Sequence, residues 1–169
     1  MADLNNVKAV FRITPARLKA LIEAFPDDLL HRAPAPGEWS PIEVLRHFIF
    51  ADRIFTARTR AALAGEDQPS PPAPSENNDA SELVAEFEAL RAETLILLDE
   101  IKEEQLGLEI MHPRMGLMTL HNMLNYWGGH DLMHLIQIEQ AVMQPFIPVS
   151  GPWQVNFAKH ILNPEETQS

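Results

Sequence analysis

Cysteine is absent from the 169-residue chain. Its absence excludes a disulfide-stapled scaffold, a thiol nucleophile supplied by the protein, a Cys-x-x-Cys redox pair and any metal site with thiolate ligands. A bound metal ion would therefore take its ligands from histidine, aspartate or glutamate. The seven histidines are the first residues to consider.

Long apolar runs and clusters of basic residues are also missing. No run approaches the roughly eighteen consecutive apolar residues of a membrane-spanning helix, and Met1 to Leu4 has neither the basic start nor the apolar stretch of a secretion signal. We therefore expect a cytoplasmic protein without a membrane partner. The thirteen basic residues are dispersed and the formal net charge is −11, which argues against nucleic acid as a partner.

Four segments carry apolar residues at helical spacing, and their boundaries carry helix signals. Thr14-Pro15 is typical of a helix start, and the residues upstream extend this helix with a bend at the proline. Ser40 and Glu43 can form a capping box around Pro41, which takes the first helical position. The predicted helices span about residues 6–25, 40–64, 79–104 and 119–142.

The segments between these helices are rich in proline, glycine and polar residues. The stretch "GEDQPSPPAPSENNDA", which begins at Gly65, predicts a solvated crossover, and residues 106–118 predict a loop that is partly extended. Residues 143–169 form a short C-terminal extension with one short helix at 153–161. The length favours one domain, residues 1–169, and four long amphipathic helices predict an all-α four-helix bundle.

Three histidines fall on apolar, inward-facing helix stripes. At about 100° per residue, His134 lies one turn beyond His130 and about 40° around the same helix. His47 shares its face of the second helix with Val44, Ala51 and Ile54. A buried imidazole needs partners for both ring nitrogens, and ligation of one metal by all three would meet that need. His121 lies about 180° from His130 and is expected to face outward.

An ordinary core offers an alternative interpretation of these histidines. A single histidine on an apolar face is usually a hydrogen-bonded core residue. The His-x-x-x-His spacing with a third inward histidine favours a metal site, in which three protein ligands leave a position open. Asp131 suits a hydrogen bond to the outer ring nitrogen of a ligating histidine, although a solvent-facing aspartate is equally compatible with the sequence.

A metalloprotease is a less suitable interpretation of the same stretch. His-Asp-x-x-His differs by one methylene from the His-Glu-x-x-His of those enzymes, and the shorter acid reaches a metal-bound water less well. A protease would also need a third ligand downstream. Glu139 is too near, and no motif surrounds the more distant candidates, which are His160, Glu165 and Glu166.

Two stretches together resemble a known family. They are "GEWSPIEVLRHFIFADRIF" on the second predicted helix and "TLHNMLNYWGGHDLMHLIQI" on the fourth. The pattern of Trp-Ser-x-x-Glu-x-x-x-His on the second helix and His-Asp-x-x-His-x-x-Gln-Ile on the fourth is similar to that of the DinB-like (DinB/YfiT) superfamily. The resemblance covers roughly residues 10–142, and histidine placement, capping box and helix order agree in it.

The resemblance implies a four-helix bundle, frequently homodimeric, with one divalent metal ion held by three histidines. At the matching positions these ligands are His47, His130 and His134. Zinc or nickel would be the first metals to expect, with iron or manganese as alternatives. Some members of the family are S-transferases that use a low-molecular-weight thiol such as bacillithiol or mycothiol, and others have no assigned chemistry.

Three functions remain open at this point. The first is a small-molecule transferase with a thiol cosubstrate, in which Tyr126 orients or protonates a leaving group and Arg114 meets a carboxylate of the thiol. The second is a metal-dependent hydrolase, and the third is a non-catalytic module that binds metal or dimerises. Ordinary roles are also open, with Tyr126 as a core aromatic, Arg114 as a solvated charge and Trp39 as a packing anchor.

The chain departs from the simplest family pattern just before His130. Gly128 and Gly129 occupy a helix interior, where each glycine costs about 1 kcal/mol relative to alanine. We hypothesise that they leave room for close helix packing or for a ligand above the metal. A tail containing Trp153 follows the bundle and could complete the core, cover the site or meet a second subunit.

Overall fold

The computed structural model describes residues 4–112 and 114–162. The candidate residues Glu165 and Glu166 and the last part of the predicted tail lie outside the described residues. The α-helices are α1 (Leu4–Ala24), α2 (Asp27–Leu30), α3 (Pro41–Ala64), α4 (Ala80–Glu100) and α5 (Leu120–Met143). An antiparallel hairpin of β1 (Glu109–His112) and β2 (Gly116–Thr119) precedes α5.

The four long helices form a bundle, which confirms the predicted fold class. The main contacts join α1 to α4 and α5, and α3 to the same two helices. The first half of α1 packs with the first half of α5 and with the second halves of α3 and α4. Helices α3 and α4 therefore run parallel, and the proline-rich segment between them crosses back along the bundle, as a crossover linker must.

The start of α3 is built as the sequence predicts. The Ser40 hydroxyl accepts a hydrogen bond from the Glu43 backbone N–H (3.3 Å), and the Glu43 carboxylate accepts one from the Ser40 N–H (2.7 Å). Pro41 occupies the first turn, and Gly65 ends the helix in the left-handed conformation. These signals set the register of α3 and thereby the direction of His47.

The structure departs from several local predictions. Thr14 is not a helix cap, because α1 continues through Pro15 and the buried Thr14 hydroxyl donates to the Val10 carbonyl (2.8 Å). Fully buried Phe11 and Leu18 lie on either side of the proline, so packing holds the helix across it despite the lost hydrogen bond.

The segment predicted as a partly extended loop at residues 106–118 contains most of the hairpin. Ile110 pairs with Met118, and Gly116 has φ +75° at the turn. Helix α4 ends at Glu100, earlier than predicted, and a 3₁₀ turn follows at Glu103–Gly107. The predicted last helix is a 3₁₀ segment, Gly151–Phe157.

A buried ionic group separates two apolar clusters of the core. Arg91 on α4 is 1% exposed. Its guanidinium pairs with Asp52 of α3 at 2.8 Å and with Asp131 of α5 at 2.5 Å. The Phe11 ring lies 4.1 Å below the guanidinium carbon. Burial raises the pKa of Asp52 to about 6, against the opposing effect of Arg91. The group joins α4 to both helices that carry the three inward histidines.

Within the described residues, none of the helices combines the length and the hydropathy needed to cross a bilayer. The predicted homodimer stays a prediction.

Replacement of Arg91 by methionine should destabilise the fold by about 3–5 kcal/mol, because two buried carboxylates lose their counter-ion. The matched control is Arg53→Met on α3, which removes a partly exposed pair with Glu86 and should cost no more than about 1 kcal/mol. Urea unfolding measures both changes. Equal losses would contradict the role assigned to Arg91.

The deficit of the Arg91→Met variant should also depend on pH. A carboxyl group whose pKa is higher in the folded than in the unfolded state makes the fold less stable as pH rises through the folded-state value. The pKa of Asp52 is already raised to about 6 beside Arg91, and it rises further without that cation. The difference between variant and wild type should therefore shrink as the pH falls from 8 towards 6.

Candidate metal centre

Three imidazoles from two helices meet at one point of the bundle. The Nε2 atom of His130 lies 3.0 Å from Nε2 of His47 and 3.1 Å from Nε2 of His134. His130 and His134 are buried, and His47 is half-buried. The ligand atoms of this group all lie within 4.8 Å of one another. The structure thus brings together the three histidines that helical faces and family resemblance select.

The three rings are neutral at neutral pH. Burial, followed by the charge of neighbouring imidazoles, lowers the pKa of His47 to about 4 and that of His130 to about 3. Burial also lowers the pKa of His134. Neutral imidazole is the form that coordinates metal ions. Where the facing Nε2 atoms both carry lone pairs, they repel at these distances, and a cation between them would remove that repulsion.

The outer ring nitrogens have different environments. The amide oxygen of Gln137 accepts a hydrogen bond from Nδ1 of His134 (2.8 Å), which directs the lone pair of His134 to Nε2. Nδ1 of His130 is buried and has no hydrogen-bond partner among the described residues. Among the described residues, the polar contacts of His130 are therefore those of Nε2 with the other two imidazoles. The donor set fits a divalent ion that accepts nitrogen ligands.

Asp131 departs from both sequence-based expectations. It is fully buried, so it does not face solvent, and its two carboxylate oxygens bind Arg91 rather than a histidine ring. The physical reason is that Arg91 on α4 is itself buried and needs counter-ions. Gln137, three residues after His134 on α5, makes the histidine contact that was expected of Asp131.

Trp39 lies beside the three histidines and is not simply a packing anchor. Its ring centre is 4.9 Å from that of His47 and 6.1 Å from that of His134, with the second pair stacked. The side chain is 41% exposed. Trp39 therefore forms an aromatic wall between the histidines and solvent on one side.

A cavity of about 490 Å³ opens on another side of the histidines. We call it the hairpin cavity, because α3, the β1–β2 hairpin and the first half of α5 enclose it. His47 and His130 contribute to its wall, and most of the remaining lining is apolar: Phe50, Ala51, Ile54, Phe55, Met115, Met118 and Met123. Its volume lies in the range of pockets that hold small organic ligands.

Both residues proposed to contact substrate lie at this cavity. Tyr126 is 59% exposed and its ring centre is 5.7 Å from that of His130, so it is not a core aromatic. Arg114 is exposed in the hairpin turn and lines the same cavity. Both side chains are exposed at the cavity and are therefore accessible to a ligand.

Sequence reasoning missed Arg58, a buried residue of the same cavity. It is 9% exposed, and its Nε atom is buried without a hydrogen-bond partner. The available signal was its position eleven residues after His47, which places it about 20° from His47 on the same face of α3. Only the packing of the hairpin reveals that this face borders a cavity.

The two glycines before His130 have different surroundings. Gly128 is buried, and an added Cβ would lie 3.6 Å from Cγ1 of Val7, in ordinary contact with α1. Gly129 is exposed, and an added Cβ would meet nothing within 4 Å. The packing part of the hypothesis therefore concerns Gly128 alone, and an alanine would be tolerated at both positions.

Comparison with known proteins agrees with this geometry. A family model described as the DinB superfamily matches residues 11–138. The uncharacterized protein YuaE of Bacillus subtilis (strain 168) is 23% identical over 140 residues, which cover 70% of this chain and 86% of that protein.

Two solved structures share the fold. One is YfiT from Bacillus subtilis, described as a probable metal-dependent hydrolase with an unusual four-helix bundle topology. Its TM-score is 0.74 at 21% identity, over 85% of this chain and 87% of that chain. The other is a conserved protein from Enterococcus faecalis, with a TM-score of 0.64 at 18% identity, over 85% of this chain and 97% of that chain.

Purified protein should hold about one divalent ion per chain, and the His130→Ala, His134→Ala double variant should lose it. Three converging nitrogens make a chelate, and one remaining imidazole does not. Elemental analysis after dialysis measures the occupancy. The control is His31→Ala, because His31 is exposed and bonds backbone carbonyls away from the site. Full occupancy in the double variant would place the metal elsewhere.

Replacement of Gly129 by alanine should stabilise the fold by up to about 1 kcal/mol, because the helix gains propensity and the new methyl group enters open space. Thermal and urea unfolding measure the gain. Metal content should stay unchanged, since the substitution leaves the histidines in place. A loss of metal would instead support a ligand-clearance role for this glycine.

Proposed function

The chain belongs to the DinB superfamily, and we propose that it is a metal-dependent enzyme that hydrolyses a small organic substrate bound in the hairpin cavity. One observation carries the proposal: His47 and His130 converge with His134 on one point and also line the cavity wall. The description of YfiT as a probable metal-dependent hydrolase supports it.

His47, His130 and His134 would hold the metal. Zinc or nickel is expected first, with iron or manganese as alternatives, because neutral imidazole suits several of these ions. A divalent ion with three imidazole ligands supplies a Lewis acid and lowers the pKa of a nucleophile that reaches it. The protein supplies the neutral rings, and Gln137 orients His134 through its hydrogen bond.

Other residues of the cavity bind and position the substrate. Phe50, Met118 and Met123 provide apolar walls that exclude water from the body of the substrate. The Tyr126 hydroxyl can donate a proton to a leaving group. The exposed guanidinium of Arg114 can bind an acidic group of the substrate at the cavity mouth.

Transfer to a low-molecular-weight thiol is the second candidate. The cavity volume of about 490 Å³ leaves room for two small reactants. The chain contains no cysteine, so a thiol nucleophile would have to arrive as a cosubstrate. In this reaction Arg114 would meet a carboxylate of the thiol, and the metal would favour the thiolate form.

One assay separates the candidates. Metal-loaded protein is given chromogenic carboxylic and phosphoric esters in water, and in parallel an electrophilic dye with bacillithiol or mycothiol. Hydrolysis of an ester above the rate of the metal-free protein supports the first candidate. A dye–thiol adduct above that rate, without ester hydrolysis, supports the second. Neither rate above background would overturn both and leave a non-catalytic metal-binding module.

Two variants test the assigned roles in the same assay. The Tyr126→Phe variant should keep its metal and lose at least about tenfold in kcat, since it lacks the proton donor. The His134→Ala variant should lose metal and activity together. Unchanged kcat in Tyr126→Phe would remove Tyr126 from the reaction.

A further inference from the structure

The hairpin cavity contains a buried cation, Arg58, that forms no ion pair with the part of the chain that the structure describes. Arg58 is 9% exposed, and its buried Nε atom has no hydrogen-bond partner. No ion pair of Arg58 is found within residues 4–112 and 114–162. Arg91, the other buried arginine, has two carboxylates. An unpaired buried guanidinium is costly, and within the described residues no carboxylate pairs with Arg58, so this side chain is suited to an anionic ligand.

The cavity around Arg58 is free of acidic side chains. Its described lining contains the basic residues Arg58 and Arg114 and the histidine His112, but no aspartate or glutamate. The chain as a whole carries 24 acidic residues and a net charge of −11. Burial lowers the pKa of Arg58, yet a guanidinium stays charged at neutral pH. The cavity therefore has a local positive charge in an acidic protein.

His112 does not neutralise this charge. Burial, followed by the nearby cations Arg58 and Arg114, lowers its pKa. Its Nδ1 atom accepts hydrogen bonds from the backbone N–H groups of Arg114 and Met115 (both 3.2 Å). It shapes the hairpin turn that covers the cavity.

We propose that Arg58 binds the anionic group of the substrate, and that this substrate is an elongated small molecule with a carboxylate or phosphoryl group remote from its reacting bond. The inference rests on the proposed function and names the substrate class for the same site. A guanidinium offers a planar pair of donors that fits both anionic groups.

The spacing along α3 sets the shape of this substrate. Arg58 follows His47 by eleven residues, which is about 16 Å of helix rise with only about 20° of rotation. Helical side chains lean towards the N-terminus of their helix, so the long Arg58 side chain leans towards the histidines. Between them lie the apolar residues Ala51, Ile54 and Phe55. An anionic head, an apolar middle and a reactive end at the histidines would match this order.

The first test uses binding without metal. Calorimetry on the full-length metal-free protein compares octanoate with the neutral octanamide. Wild-type protein should bind octanoate at least about tenfold more tightly, as expected for a charge-assisted hydrogen bond. Arg58→Met should abolish the preference, and Arg58→Lys should keep part of it. The control Arg53→Met, on the same helix but paired with Glu86 at the surface, should keep all of it.

The second test asks whether one ligand can bind Arg58 and the metal ion at the same time. Cobalt(II)-loaded protein is titrated with 8-mercaptooctanoate or 8-mercaptooctanol, and the thiolate-to-cobalt absorption band is measured. The carboxylate should half-saturate the band at a concentration at least about tenfold lower than the alcohol. Arg58→Met should bring the two concentrations together.

The outcomes separate failure of this inference from failure of the proposed function. Equal affinity of wild-type protein for both thiols, with a normal band, would overturn the Arg58 subsite and leave the metal site intact. A carboxylate preference in the metal-free protein without any cobalt band would support Arg58 and count against the metal chemistry.

Stability distinguishes ligand binding from a structural role of Arg58. Because the substitution removes an unpaired buried charge, Arg58→Met should unfold at the same or a higher temperature than wild type. Octanoate should raise the Tm of wild type and not that of the variant. A lower Tm in Arg58→Met, with the octanoate preference retained in Arg58→Lys and Arg58→Met alike, would overturn the proposal.

Discussion

The contact of Arg91 with Asp52 and Asp131 is the constraint on which the candidate site depends. It ties α4 to α3 and α5, the two helices that carry the histidines. Asp131 is the residue next to His130, so the register that satisfies Arg91 also sets the height of the first α5 histidine. A slip of either helix by one residue would leave a buried charge unpaired. The ionic group therefore specifies how the apolar clusters above and below it are aligned.

Two buried arginines of this chain illustrate opposite solutions to the same physical problem. Arg91 is enclosed by aromatic rings and its charge is paired with two carboxylates, as a structural charge requires, although its Nε atom, like that of Arg58, has no hydrogen-bond partner among the described residues. Arg58 is nearly as buried but lacks such partners among the described residues, and it borders a cavity. The charge of Arg91 therefore holds helices together, whereas that of Arg58 is available to a ligand. The position of Arg58 in the cavity also explains how a protein with a negative net charge could bind an anionic ligand.

Much of the fold and the candidate ligand set could be predicted from sequence because both depend on local rules. Capping at Ser40 and the spacing of His130 and His134 fix helix register and face without knowledge of the partners. The surroundings could not be predicted in the same way. Asp131 was expected near a histidine, yet Arg91 holds it, since a contact between two helices depends on their relative height. Thr14 was expected to cap α1, yet tertiary packing carries the helix through Pro15.

The sequence by itself determined the helical bundle, the absence of thiol ligands and the inward face shared by three histidines. These follow from composition and from a periodicity that each helix possesses alone. Only the tertiary structure decided that Trp39 lies beside the histidines, that Tyr126 is exposed and that Arg58 is buried without an ion pair among the described residues. The physical reason is that the exposure and the ion pairing of a side chain depend on how neighbouring helices and strands pack around it. The crossover linker and the hairpin form part of these surroundings, and their positions result from packing rather than from any local sequence pattern.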